Sequence, residues 1–140
     1  ILADGYYEWK ADKSSKQPLY IHNRDHCPFA FAGLWENWAP PHRQSETQID
    51  WTATIITTDA NQVTSNLHHR MPVILSPDDY DTWLNPNTSN LNALHQFLMH
   101  PPNENQMGDF QITTVSTRVN NVKNDDSDCI KPDATQLGLF

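Results

Sequence analysis

Aromatic and β-branched residues crowd the first third of the chain in short runs separated by polar stretches. Gly5 to Trp9 is densely aromatic, Pro18 to His22 alternates apolar with polar, and Phe29 to Trp35 is a longer apolar run. All three patterns predict strands. The polar residues between the first two, Lys10 to Gln17, read as a hairpin connection. Ala39 to Glu46, with paired Pro40 and Pro41, reads as a loop that cannot enter a ladder. Trp51 to Thr58 is rich in β-branched residues and predicts a well-buried strand. Asp59 is placed to cap a short helix running through Asn66, and Met71 to Leu75 predicts a further strand. Ser76-Pro77-Asp78-Asp79 combines a hydroxyl cap, a proline at the first helical position and acids at the positive dipole end. It predicts a helix carrying Tyr80, Trp83 and Leu84. Leu91, Leu94, Phe97 and Leu98 repeat at helical spacing within Asn90 to Met99, and Pro101-Pro102 ends that helix. Phe110 to Val115 predicts the last strand, followed by an acidic, less regular tail over 125–140. The expected fold is a β-rich α+β domain with short helices, a single unit spanning residues 1–140.

Charge narrows the functional classes. The 140 residues include 9 basic and 17 acidic side chains, for a net charge of −8. A broad nucleic-acid surface normally needs a basic face, so only a local basic groove is compatible with this balance. No apolar stretch approaches the roughly 20 residues of a membrane-spanning helix, and the start lacks a basic region followed by an apolar run. No membrane partner is expected, and the reading takes the protein as a soluble monomer. The two cysteines, Cys27 and Cys129, are far apart and lack paired metal-ligand spacing. Neither a disulfide framework nor a zinc ribbon is expected, and a reducing cytoplasm suits them. The chain opens on Ile1 and runs directly into what reads as the middle of a strand-bearing domain, so a preceding segment is expected.

Candidate chemistry falls in a few places. Glu8 lies between Tyr7 and Trp9; a carboxyl flanked by large aromatics is often desolvated, with a pKa raised toward proton-transfer range, although strand alternation can equally point it to solvent. In Leu67-His68-His69-Arg70-Met71-Pro72, an imidazole can shuttle a proton and the Arg70 guanidinium can grip an anion with parallel hydrogen bonds. Adjacent histidines make a poor metal pair on a strand, because successive side chains diverge. Ser116 to Asn124 offers Arg118, Asn121 and Lys123, a fitting inventory for backbone phosphates, or simply a solvated turn. His22, His26 and Cys27 lie close together but lack a second ligand pair. Nothing nearby marks Cys27 as an activated nucleophile.

The order GYYEWK, AGLWE, TIITTDAN, LHHRMPVIL and VNNVKN is more telling than any one segment. From about Gly5 to Asn124 the sequence resembles the SRAP family, named for SOS-response-associated peptidases, whose members protect abasic sites in single-stranded DNA by covalent crosslinking. The resemblance implies a barrel-like arrangement of mixed and antiparallel strands. It also implies a cofactor-free and metal-free mechanism in which an N-terminal cysteine, exposed by self-processing, condenses with the ring-opened sugar to a thiazolidine. It matches Glu8 to the glutamate that assists proton transfer at the amine. His68, rather than His69, matches the histidine acting on the sugar, and Arg70 matches a phosphate holder. No Met-Cys start is present, so the chain reads as the distal part of such a domain, without its nucleophile. Two rivals remain: a noncatalytic binding module using Tyr6, Tyr7 and Trp9 for stacking, and a thiol peptidase pairing Cys27 with His68.

Overall fold

The computed structural model describes residues 1–11, 16–38, 50–88, 91–99 and 110–134. The tip of the Lys10–Gln17 connection, the Pro40-Pro41 loop, Asn90, Pro101-Pro102 and the last six residues lie outside them. Early in the chain run β1 (Leu2–Ala3), β2 (Tyr6–Ala11) and β3 (Lys16–Asn23). The strand over Phe110–Thr114 pairs with one edge of β3 and β2 with the other, both antiparallel; Tyr6 lies opposite Ile21, Glu8 opposite Leu19 and Trp9 opposite Pro18. A proline in a central strand lacks the N–H its neighbour expects. The Gln17 side chain supplies it: the Val115 amide donates to the Pro18 carbonyl at 3.2 Å, and Gln17 Nε2 donates to the Val115 carbonyl at 2.9 Å. Gln17 thereby satisfies an acceptor that would otherwise be orphaned beside a buried proline.

The middle of the chain departs from the expected three long strands. Phe29–Trp35 divides at Ala32 into β4 (Phe29–Phe31) and β5 (Gly33–Trp38). Trp51–Thr58 divides at Ile56 into β6 (Asp50–Ile55) and β7 (Thr57–Asp59), and Met71–Leu75 divides at Val73 into β8 (Arg70–Pro72) and β9 (Ile74–Leu75). The three dividing residues bond to one another. Ala32 N–H donates to the Val73 carbonyl at 2.8 Å, Val73 N–H to Ile56 at 2.9 Å, and Ile56 N–H to Ala32 at 2.9 Å. At this closed triangle every segment changes partner: β4 pairs with β9, β5 with β6, and β7 with β8. Ala32 and Val73 are buried there with Leu75, packed against Ile56, Tyr80, Trp83 and Leu98.

The triangle overturns the barrel-like arrangement. Among the described residues the strands form four separate short sheets, β1-β4-β9, the sheet centred on β3, β5-β6 and β7-β8, and none closes on itself. A barrel needs one ladder that continues around a ring, and a ladder whose strands exchange partners after two or three residues cannot propagate. The α+β composition stands, and among the described residues every strand pairing is antiparallel. The expected burial of Trp51–Thr58 is also wrong. Its residues from Trp51 to Ile55 are exposed because the β5–β6 ribbon projects beyond the core.

The Ser76 start yields a 3-10 turn (Pro77–Asp79) running into α1 (Tyr80–Leu84), with Ser76 extended but its hydroxyl making no cap bond. A second helix, α2, spans Leu91–Met99. The last described strand is β10 (Phe110–Thr114). The acidic segment after it is more regular than expected. Asp126 caps a 3-10 turn over Ser127–Cys129, Cys129 is buried, and Asp133 N–H donates back to Thr114.

Gly5 joins β1 to β2 under the Tyr20 ring, whose hydroxyl donates to the Asp4 carbonyl at 3.0 Å. A Cβ at Gly5 would fall 2.3 Å from Tyr20 Cε2. Gly5→Ala is therefore expected to lower the thermal unfolding midpoint, at a cost of about 1–3 kcal/mol for overpacking. Gly5→Ala combined with Tyr20→Leu should recover part of the loss in the same melting experiment.

Candidate functional site

Strand alternation on β2 sends Tyr6 and Glu8 to one face and Tyr7 and Trp9 to the other. The Tyr7 face carries a ladder of rings: Tyr7 meets Tyr20 at 5.3 Å between centroids, Tyr20 stacks on His22 at 4.9 Å, and His22 on His26 at 4.8 Å. On the other face Tyr6 packs edge-on to Phe31, and its hydroxyl is buried without a hydrogen-bond partner. Glu8 is half-buried beside it. Burial raises the Glu8 pKa above its ordinary value, and the charge of His68 pulls it partly back down. The Tyr6 phenol is pushed up by burial and by the Glu8 charge. Glu8 and His68, 60 positions apart in sequence, thus share one electrostatic environment.

His68 reaches that position through a turn the sequence reading misassigned. The expected helix from Asp59 to Asn66 is a run of turns, and Asn61 rather than Asp59 organises it. The Asn61 carboxamide oxygen accepts from the amides of Val63 and Thr64, each at 3.1 Å, and from the Thr64 hydroxyl. Thr64 is buried against Met71 of β8, and its carbonyl accepts from the amides of Leu67 and His68. Ala60 N–H donates to the His69 carbonyl, closing the turn onto β7 and β8. His68 Nδ1 lies 3.0 Å from the Arg70 carbonyl and 3.2 Å from the Arg70 amide, so the backbone holds this nitrogen and proton exchange with a ligand falls to Nε2. The His68 and His69 rings lie 4.4 Å apart in a bend ahead of β8, so they do not diverge as they would on a strand. Among the described residues no cluster of three metal-ligating side chains forms.

Arg70 is clamped across β7. Its guanidinium donates to Asp59 Oδ1 at 3.1 Å, to the Thr57 carbonyl at 2.6 Å and to the Thr57 hydroxyl at 3.0 Å. The loop carrying Arg118, Asn121 and Lys123 follows β10 and meets β2 through Trp9, on the face opposite Glu8. Trp9 Nε1 donates to Asn120 Oδ1 at 2.7 Å, so Asn120, not Asn121, ties this loop to the strand bearing Glu8. Asn121 instead accepts from the Lys123 amide and shapes the turn, while Arg118 pairs with Asp126. Sequence reasoning passed over Asn61, Thr64, Asp59 as an ion-pair partner and Asn120. The Asn-x-x-Thr spacing of Asn61 and Thr64 was the one signal available for them.

Cys27 sits exposed in the turn after β3, where its hydrogen bond and proximity to the Asp25 carboxylate push the thiol pKa up. An activated nucleophile needs the opposite shift. Cys129 is buried, its thiol donating toward the Asn124 carbonyl.

A half-buried carboxyl on β2 thus feels the charge of a backbone-held imidazole in the turn ahead of β8, with Arg70 opening β8 and Arg118 in the 3-10 turn after β10, all on an antiparallel α+β scaffold. The family model for SOS response associated peptidase (SRAP) matches residues 1–122, and the chain belongs to that family. It is 39% identical over 132 residues to the abasic site processing protein YoqW of Bacillus subtilis, covering 94% of this chain and 55% of YoqW. It is 32% identical over 158 residues to the abasic site processing protein HMCES of Gallus gallus, covering 99% of this chain and 44% of HMCES. A crystal structure of a protein from Bacteroides thetaiotaomicron superposes with a TM-score of 0.77 at 26% identity, covering 95% of this chain and 55% of that one. The chain spans about half the length of the relatives it matches.

Because the Glu8 pKa is raised in the folded state, the unfolded chain ionises more readily. Ionised Glu8 therefore costs stability at neutral pH, and the cost fades as pH falls through the ordinary carboxyl range. Glu8→Gln is expected to raise the melting temperature near pH 7, the gain vanishing below about pH 4. An equal gain at both pH values would mean that the substitution acts through packing rather than charge.

Proposed function

We propose that this chain is the sugar-reading and phosphate-gripping portion of an abasic-site processing domain, and that by itself it binds single-stranded DNA without a covalent bond. What supports this reading is the electrostatic influence of His68, held by the Arg70 backbone in the turn ahead of β8, on the half-buried Glu8 of β2. In the assembled family domain, Glu8 takes and returns the proton of the attacking amine. His68 Nε2 serves the sugar oxygen as the ring opens. Arg70 and Arg118, with Lys123 and Asn121, hold backbone phosphates, and Trp9 offers a face for a base.

The crosslinking step of that domain needs an amine and a thiol on one N-terminal cysteine. The cysteines of this chain are Cys27 and Cys129, and neither has the environment of a nucleophile. Those environments favour noncovalent binding over a thiol peptidase built on Cys27. That YoqW and HMCES are abasic site processing proteins supports the choice of DNA as ligand. The net charge of −8 limits the affinity to what a local groove can supply.

The test is a gel-shift titration with a single-stranded oligonucleotide carrying one abasic site, run native and again after heating in detergent. A shift that denaturation abolishes is expected. Arg70→Ala should weaken binding about tenfold, the worth of one charge-assisted hydrogen bond. It should also reduce the salt slope by roughly 0.7, the value for one phosphate on a single strand. A denaturation-stable adduct lost in Cys27→Ser would restore the thiol reading. Absence of any shift at low salt would overturn the proposal.

A further inference from the structure

Five of the exposed large apolar side chains among the described residues, Leu34, Trp35, Trp38, Trp51 and Ile55, stand on the β5–β6 ribbon. Trp35 is 66% and Trp51 70% exposed, and their rings meet at 4.9 Å across the two strands. The register places Gly33 opposite Ile55, Trp35 opposite Ala53 and Asn37 opposite Trp51, so one face carries Trp35, Trp51 and Ile55. Leu34 and Trp38 occupy the other face, opposite Thr54 and Asp50. A shallow groove of about 520 Å³ runs along Leu34–Glu36 and Thr52–Thr54. A solvated antiparallel ribbon keeps one face polar, whereas apolar residues on both faces belong to a ribbon covered on both sides. Two strands alone are also marginal in water. This ribbon therefore requires a cover.

The charges select what covers it. Its described residues, 33–38 and 50–55, include Glu36 and Asp50 and no lysine or arginine, which disfavours a phosphate backbone. A second copy of the chain would bring another net charge of −8 against the first. Aromatic, apolar and poor in charge, the surface has the composition of an obligate polypeptide interface. The relatives carry such a polypeptide: a little under half of YoqW lies outside the 132 matched residues, and a similar share of the Bacteroides structure lies outside the superposed part.

We infer that the β5–β6 ribbon is the docking face for the portion of the SRAP polypeptide that lies outside the match, clasped around the Trp35–Trp51 pair. Aromatic anchors at the centre of such a face carry most of the binding energy. The inference rests on family membership and ribbon chemistry, not on DNA binding, so its test contains no DNA.

The full 140-residue chain is co-expressed with the unmatched portion of YoqW bearing an affinity tag, and the product is weighed by sedimentation. A one-to-one complex is expected, with tryptophan emission shifted to the blue. Trp35→Ser with Trp51→Ser should weaken it by about tenfold or more, with the circular dichroism of the free chain unchanged because both residues are exposed. Trp35→Phe with Trp51→Phe should retain most of the binding. Failure to form a complex would overturn the inference, as would a complex indifferent to the serine pair. So would a dimer of the 140-residue chain alone that the serine pair dissolves, since a second copy would then be the occupant.

Discussion

Three backbone hydrogen bonds joining Ala32, Val73 and Ile56 in a closed ring hold the centre of the molecule. Each is worth only about 1 kcal/mol net, but a buried amide left unpaired costs about 1–3 kcal/mol, so the ring stands or falls as a unit. From it β4 reaches back to β1, which leads through Gly5 into the strand bearing Glu8. β8 and β7 extend from it in another direction and anchor the turn bearing His68. The acid and the imidazole therefore take their relative position from one junction, with the edge-on contact of Tyr6 and Phe31 bracing the β2 side.

This junction also marks the limit of what the sequence revealed. The runs Phe29–Trp35, Trp51–Thr58 and Met71–Leu75 were legible as extended chain, because β-branched and aromatic composition reports backbone preference. A change of partner at one residue leaves that composition uninterrupted, so the divisions at Ala32, Ile56 and Val73 were invisible, and nothing in the residues countered the barrel-like arrangement that the resemblance implied. The burial of Trp51–Thr58 failed for a related reason: β propensity reports fit to a pleated surface, whatever covers it. In the site, Glu8, His68 and Arg70 were legible as motif residues. Asn61, Thr64 and Asn120 were not, since their parts depend on which carbonyls and amides the fold brings within reach.

The two arginines proposed to hold phosphate are already engaged. Arg70 is held by Asp59 and Thr57, and Arg118 by Asp126, so a phosphate must share or displace a carboxylate partner at each. Both pairs are exposed, where an ion pair contributes about 0–1 kcal/mol, so exchange for phosphate is cheap. The clamps pre-orient the guanidinium groups while contributing little stability of their own. Glu8 differs: its partial burial makes its charge costly, and the imidazole of His68 offsets part of that cost.

The coupling of Glu8 to His68 is the claim on which the functional account depends, and NMR titration of the Glu8 side-chain carboxyl in the wild type and in His68→Gln measures it directly. The account predicts a Glu8 pKa above the ordinary carboxyl value in the wild type, rising further when the imidazolium charge is removed. A Glu8 that titrates at its ordinary value, unmoved by His68→Gln, would contradict it.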